Sequence, residues 1–232
     1  MFENNVIVAR TIEDAWRDSM WCCVRNGYDY IVEKGSYEGQ IRRQLEYITI
    51  IINEPSRPFL FNVPHHLNFV PTTEERAIQY FDQYLMSDIV AENEDYTYGY
   101  YITQQVQQCI ELLNISKGHT NQASIFVGEP ALVFKGDPPC LRNIDFKVVD
   151  GKLNMSVVFR SWDNVMGMPE NLCGLQLLKE YVLASLQFDA EDGRLIAFSS
   201  GLHIYEQYFD LVNNLNVDKI VRIQHARRGY HE

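Results

Sequence analysis

Apolar and polar positions alternate along the chain in two different periods. Residues 11–25, TIEDAWRDSMWCCVR, open on Thr11, place acids in the next turn and repeat apolar residues at helical spacing, which predicts a capped helix. Residues 45–52, LEYITIII, are β-branched and aromatic until Asn53-Glu54-Pro55 stops them, which predicts a buried strand. Helical spacing returns over 73–90 and over 102–115, the second run ending before Lys117-Gly118, and 123–128, ASIFVG, has strand character. The clearest alternation is 152–161, KLNMSVVFRS: Leu153, Met155, Val157 and Phe159 point one way, while Asn154, Ser156, Val158 and Arg160 point the other. The preceding DFKVV and the turn Asp150-Gly151 make 144–161 a hairpin that carries Arg160 on its more polar face. Asn171 then stands where a cap would open a helix reaching Leu186, and 195–205, LIAFSSGLHIY, predicts a strand leading to a short functional turn.

This mixture fits an α+β or α/β architecture, and 232 residues with 46% hydrophobic content bury a substantial core in one domain spanning 1–232. There is no internal repeat, low-complexity tract or linker. No run approaches the roughly 18 apolar residues of a membrane span, and the opening MFENNVIVARTIEDAW lacks a signal-peptide layout, so a cytoplasmic protein without a membrane partner is expected. A net charge of −11 argues against a general nucleic-acid surface, yet leaves room for a few arginines around one phosphate. Five cysteines without a CxxC pair or a His cluster at ligand spacing indicate neither a disulfide framework nor a metal site.

Candidate chemistry concentrates in GDPPC at 136–140, FRSWDNVMGMPEN at 159–171 and SGLHIY at 200–205. Singly, each is ordinary: a cysteine after two prolines is usually structural, an arginine at a strand end usually forms a surface ion pair, and a lone histidine usually serves a backbone group. In this order and spacing they resemble the thymidylate synthase family, whose catalytic region reads Pro-Cys, an Asp-Gly hairpin, Arg-Ser-x-Asp, Gly-x-Pro-x-Asn and then His-x-Tyr. The likeness spans residues 93–210, from NEDYTYG onward; earlier it is only a helix–strand–strand layout like that of the shorter archaeal members.

The resemblance implies an α+β fold with a large twisted mixed sheet flanked by helices, paired sheet to sheet in a homodimer. It implies a pyrimidine nucleoside monophosphate as substrate and 5,10-methylene-tetrahydrofolate as co-substrate. The Cys140 thiolate would add at C6 of the base, turning the ring into an enolate whose C5 accepts the one-carbon unit. A free thiol titrates near about 8.5, so the guanidinium of Arg160 would favour the thiolate while also pairing with the nucleotide phosphate. By the same resemblance Ser161 adds a phosphate contact, Asp163 and Gly167 belong to the folate site, and His203 and Tyr205 bind the sugar 3′-hydroxyl. Tyr98 stands near proton transfer. Asn171 would read the N3 and O4 edge of uracil, where family members acting on cytosine carry aspartate.

Departures from the family pattern leave other outcomes open. Thr120-Asn121-Gln122 stands where most members carry an arginine pair that reaches the partner's nucleotide, with Arg42 or Arg43 as substitutes. No tryptophan occurs in 86–90, and the chain ends in the polar ARRGYHE rather than an apolar tail. The general acid/base glutamate has Glu74 and Glu75 as candidates. Conversion of dUMP to dTMP is the leading expectation; a pyrimidine-nucleotide 5-hydroxymethylase and a non-catalytic nucleotide-binding homologue are the alternatives.

Overall fold

In the computed structural model, which describes residues 5–34, 37–90, 92, 94, 96–134 and 138–215, the chain opens with β1 (Val6–Ala9) and α1 (Ile12–Asn26). The predicted helix start is met in detail. The Thr11 side chain accepts from the Asp14 N–H and the Asp14 carboxylate takes the Thr11 N–H, a reciprocal capping box. β2 (Tyr28–Ile31) and β3 (Ile41–Gln44) pair antiparallel, and β4 (Ile48–Ile52) follows. The expected strand 45–52 therefore begins late. Residues 45–47 carry the chain from one sheet to another, pinned by the buried Leu45, whose N–H bonds to the Leu202 carbonyl.

α2 (Glu74–Tyr80) continues through a π-helical turn, Phe81–Leu85, and ends at Met86, short of the predicted 90. The predicted helix 102–115 is two pieces, α3 (Gly99–Ile102) and α4 (Val106–Ser116), the second closed by Lys117 in the left-handed region at φ 50°. β5 (Ser124–Phe126), β6 (Leu141–Val149), β7 (Lys152–Phe159) and β8 (Trp162–Asp163) follow, then α5 (Gly167–Ala184), β9 (Glu191–Ser199), β10 (Leu202–Tyr205) and α6 (Phe209–Leu215). Asp150 and Gly151 both take positive φ, 51° and 72°, as a tight hairpin between right-twisted strands requires. The inward residues of β7 are the four expected ones, Leu153, Met155, Val157 and Phe159, all buried.

The architecture is α+β with two mixed sheets. The large one runs β1-β4-β9-β7-β6-β5 and the small one β2-β3-β10-β8. α1 packs on β4 and α5, while α5 lies across β7 and β9, so these helices close over one face of the large sheet. Two expectations are corrected here. α5 starts at Gly167, four residues before Asn171, so Asn171 lies in the second turn and is not the cap. Pro169 falls in the first turn, where a missing N–H costs nothing. The run 195–205 is two strands in different sheets, broken at Ser200-Gly201. A Cβ on Gly201 would stand 2.9 Å from the Arg160 carbonyl oxygen, so only glycine lets the two crossings touch.

α5 is buried nearly all round and carries one charge inward. The fully buried Lys179 ammonium lies 3.1 Å from Asp192 Oδ1 and donates to the Gly193 carbonyl. Burial pulls its pKa down while Asp192 holds it up. Removing the carboxylate strands a cation, whereas Asp192 without the lysine keeps Gln176 Nε2 and Ser56 Oγ, both at 2.9 Å. Urea unfolding should therefore give an asymmetric pair. Asp192→Ala should cost about 3–5 kcal/mol, and Lys179→Met less than half of that.

Candidate active site at the junction of the two sheets

The residues that follow β7 leave the large sheet and enter the small one beside a second crossing, from β9 into β10. Backbone hydrogen bonds stitch them: Ser200 N–H to Phe159 O at 3.1 Å, Trp162 N–H to Gly201 O at 3.0 Å, and Asn164 N–H to His203 O at 2.9 Å. On the other side of the same segment the Arg160 N–H bonds to the Cys140 carbonyl at 2.9 Å. Four consecutive residues thereby face four partners. Arg160 lies beside Cys140, Ser161 beside Gly201, Trp162 reaches Asn171, and Asp163 is in register with His203.

Cys140 is half-buried at the mouth of β6, next to a bulge between Leu141 and Asn143. The Arg160 side chain folds back over the two prolines before it, Nε donating to Pro138 O at 3.1 Å and to Pro139 O at 3.3 Å. This brings a fixed cation to the loop that presents the thiol. Residues 136 and 137 of GDPPC lie outside the described residues, as do 93 and 95 of NEDYTYG. Tyr98 caps the same strand, its hydroxyl accepting the Leu141 N–H at 3.2 Å. Burial, with Tyr80, Tyr96 and Cys140 adding to it, holds the Tyr98 phenol well above its usual range. Tyr98 thus keeps its proton and is equipped to donate. The three buried thiols are all pushed up by desolvation, Cys23 to about 12, Cys109 to about 11 and Cys173 further still, which leaves them inert.

Asn171 is held at both ends. Its Oδ1 accepts from Trp162 Nε1 at 3.0 Å and its Nδ2 donates to the Tyr80 hydroxyl at 2.9 Å. Tyr80 stacks on Tyr84 at 5.4 Å, and Tyr84 meets Tyr98 edge-on at 5.1 Å, so a row of phenols links Asn171 to the strand of Cys140. Gly167 sits between two of the expected residues: a Cβ there would lie 3.6 Å from both Asn171 Oδ1 and Asp163 Cβ.

The small sheet carries the remaining candidates. Arg42 on β3 donates to the hydroxyls of Tyr30 at 3.2 Å and Tyr205 at 2.5 Å, while Arg43 is bound through two 2.7 Å bonds to Asp29. His203 is 3% exposed and its Nδ1 lies 2.9 Å from the Gly201 carbonyl, so Nδ1 carries the proton. Burial, reinforced by the Arg42 charge, lowers its pKa to about 4. Nε2 is then a buried acceptor without a partner among the described residues. Asp163 Oδ1 accepts from the N–H groups of Val165 and Met166 at 2.9 and 3.3 Å, and burial raises its pKa.

A cavity of about 520 Å³ opens against the phenol row, lined by Tyr80, Tyr84, Arg76, Ile89, Glu94 and Glu170 among others. The carboxylates whose fields reach Tyr80 and Tyr84 are Glu170 and Glu94. Glu74 is instead 3.7 Å from Arg57, and Glu75 is fully exposed at the start of α2. Residues 120–122 stand as an exposed or half-exposed turn before β5, and the ending ARRGYHE lies outside the described residues. Among the described residues no three metal-ligating side chains cluster, and no helix is long and apolar enough to cross a membrane. Three participants were not foreseen as such: Tyr80, Tyr84 and Trp162. The i, i+4 spacing of the two tyrosines was a faint signal, and the tryptophan inside Arg-Ser-Trp-Asp a clearer one.

The family model described as thymidylate synthase matches residues 102–221. A protein of Methanosarcina acetivorans named "Putative thymidylate synthase" is 30% identical over 216 residues, covering 90% of this chain and 94% of the relative. A protein of the same name from Methanothermobacter thermautotrophicus is 24% identical, with 88% and 94% covered. The solved structure of thermostable thymidylate synthase A from Bacillus subtilis superposes with a TM-score of 0.67 at 16% identity, covering 88% of this chain and 83% of that one, a likeness of fold.

The depressed His203 pKa has a sign that can be measured. Between about 4 and its ordinary 6.5 the unfolded chain binds a proton that the folded one refuses. Stability from this group is therefore complete above 6.5 and is lost as pH falls toward 4. Unfolding midpoints across that window should fall less steeply in His203→Gln than in the parent, the difference amounting to ~3 kcal/mol.

Proposed function

Because this chain belongs to the thymidylate synthase family, we propose that it transfers the one-carbon unit of methylene-tetrahydrofolate to C5 of a uracil nucleotide, dUMP to dTMP, through a covalent adduct of Cys140. The observation that carries this reading is the hold of Arg160 on the loop of Cys140, by side chain to the Pro138 and Pro139 carbonyls and by backbone to Cys140 itself. A guanidinium held on the loop that presents a half-exposed thiol suits the proposed thiolate chemistry, and the same arginine, with Ser161, suits a phosphate.

The sulfur forms a bond to C6 and the C5–C6 electron pair moves toward O4, making C5 nucleophilic. C5 bonds to the methylene carbon, and loss of the C5 proton to solvent expels the folate nitrogen and leaves a methylene on the ring. Addition of hydride or water to that methylene, with departure of the thiolate, restores the ring. Tyr98, held protonated, offers an O–H near that exchange. Asn171 has one acceptor lone pair and one N–H beyond its two internal bonds, the complement of N3–H and O4. At the sugar, His203 Nε2 is an acceptor and the Tyr205 hydroxyl, already accepting from Arg42, keeps its proton to donate. An alcohol is both donor and acceptor, so the pair suits the 3′-hydroxyl. Methylene-tetrahydrofolate supplies the carbon and, for a methyl product, the hydride. The residues fit its ring end: Asp163 Oδ2 has no hydrogen bond among the described residues, and Tyr80 and Tyr84 offer flat walls to the cavity in place of the absent tryptophan.

A second reading, 5-hydroxymethylation, is favoured by one observation. The stretch 86–90 leaves the cavity open, with Ile89 77% exposed, and water admitted there would add an oxygen where hydride adds hydrogen. The same family reading carries a cytoplasmic homodimer through the face of the large sheet opposite α1 and α5, where Val8 is 65% and Phe198 38% exposed. Sedimentation at micromolar concentration reads the dimer directly, a monomer counting against it.

Incubation with UMP, dUMP, CMP or dCMP and methylene-tetrahydrofolate, followed by nucleotide mass, tests the proposal. A gain of one methyl on dUMP is expected, a hydroxymethyl selects the second reading, and no gain on any nucleotide refutes both. Cys140→Ala should bind dUMP with little change while turnover falls by on the order of 10⁴. Retention of more than about one per cent of the rate would contradict nucleophilic catalysis.

A further inference from the structure

We propose that Trp162 is a specificity-determining residue: its indole N–H locks the Asn171 amide in the orientation that reads uracil and rejects cytosine. The inference rests on the proposed role of Asn171 as the base-reading residue. A side-chain amide is ambiguous, because a half-turn exchanges its oxygen and its nitrogen. Uracil presents a donor at N3 and an acceptor at position 4; cytosine presents an acceptor at N3 and a donor amine at position 4. One orientation of the amide complements the first base and the other orientation complements the second. An asparagine free to turn therefore reads both, and selects only if turning is costly.

The surroundings of Asn171 make it costly. Trp162 Nε1 is a donor and never an acceptor, and it lies 3.0 Å from Asn171 Oδ1. Turning the amide would set its NH2 against that N–H and leave the indole unpaired at a residue 2% exposed. A buried donor without a partner costs a factor of roughly 5–150 in an equilibrium constant. The indole cannot follow the amide. It is stacked on Phe159 at 4.2 Å with an interplanar angle of 4°, and its backbone is tied to Gly201.

Tyr80 plays a different part. A hydroxyl donates or accepts as needed, so it tolerates either orientation and only steadies the other end of the amide. Its seat is built into α5: a Cβ at Gly174 would come within 2.4 Å of the Tyr80 ring, so a glycine sits mid-helix despite its poor helix propensity. The two contacts therefore divide the work, Trp162 setting direction and Tyr80 holding position.

The test compares dUMP and dCMP, by dissociation constant and by kcat/KM, in the parent, Trp162→Phe, Tyr80→Phe and Asn171→Ala. Trp162→Phe keeps the stacking ring and removes the N–H. It should shrink the uracil-to-cytosine ratio by roughly tenfold, mainly through tighter cytosine binding. Tyr80→Phe should weaken both nucleotides alike and keep the ratio. A parent that does not prefer uracil, or an Asn171→Ala variant that still does, removes the base-reading role and the lock with it. A preference lost in Asn171→Ala but unchanged in Trp162→Phe overturns the lock alone. If Trp162→Phe fails to fold, the parent answers in ¹H–¹⁵N spectra. The Trp162 indole proton should resist exchange with dUMP bound and exchange faster at saturating dCMP, and equal protection in both complexes overturns the proposal.

Discussion

The structure turns on the stitching of two chain crossings, 159–164 and 199–203, by backbone hydrogen bonds between them. Both segments leave the large sheet at its centre, where β7 and β9 run parallel, and both enter the small sheet, where β8 and β10 run parallel again. Side by side, they convert a change of sheet into a line of fixed residues. Arg160, Trp162 and Asp163 each gain an address because the residue opposite is set by register rather than by side-chain choice. Gly201 is the point of closest approach, and its missing Cβ is what permits the seam.

Around that seam, backbone carbonyls and phenol hydroxyls help to position the polar groups. Arg42 is steered by two phenols, Arg160 by two proline carbonyls, and His203 by the Gly201 carbonyl. Arg43, by contrast, is committed to Asp29 and is unsuited to a ligand. In a chain of net charge −11 this matters, because an anionic nucleotide is drawn to a local group of arginines rather than to the surface as a whole. Desolvation then sets protonation: phenols keep their protons and His203 stays uncharged, so the site offers hydrogen-bond donors and acceptors in fixed roles.

The chain alone determined whatever depends on near neighbours. Thr11 and Asp14 are three residues apart and close a capping box in any context that permits a helix; Asp150-Gly151 supplies positive φ at the two places a tight hairpin needs it; the alternation over 153–159 names the buried face of β7. The order and spacing of Pro-Cys, Arg-Ser-x-Asp, Asn and His-x-Tyr likewise carried the family, because those residue types answer to chemistry rather than to packing. Only the tertiary structure decided where continuous apolar runs break. Residues 45–47 and 200–201 look like strand interior, yet each changes sheet, since the pairing partners that end a strand lie far away in sequence. It also decided what Asn171 is: not a cap, as local propensity suggested, but an amide held between Trp162 and a Tyr80 that stands 91 positions earlier. A hydrogen bond across such a distance is fixed by the packing of α2 on α5 and by the space at Gly174, quantities that no local pattern of residues encodes.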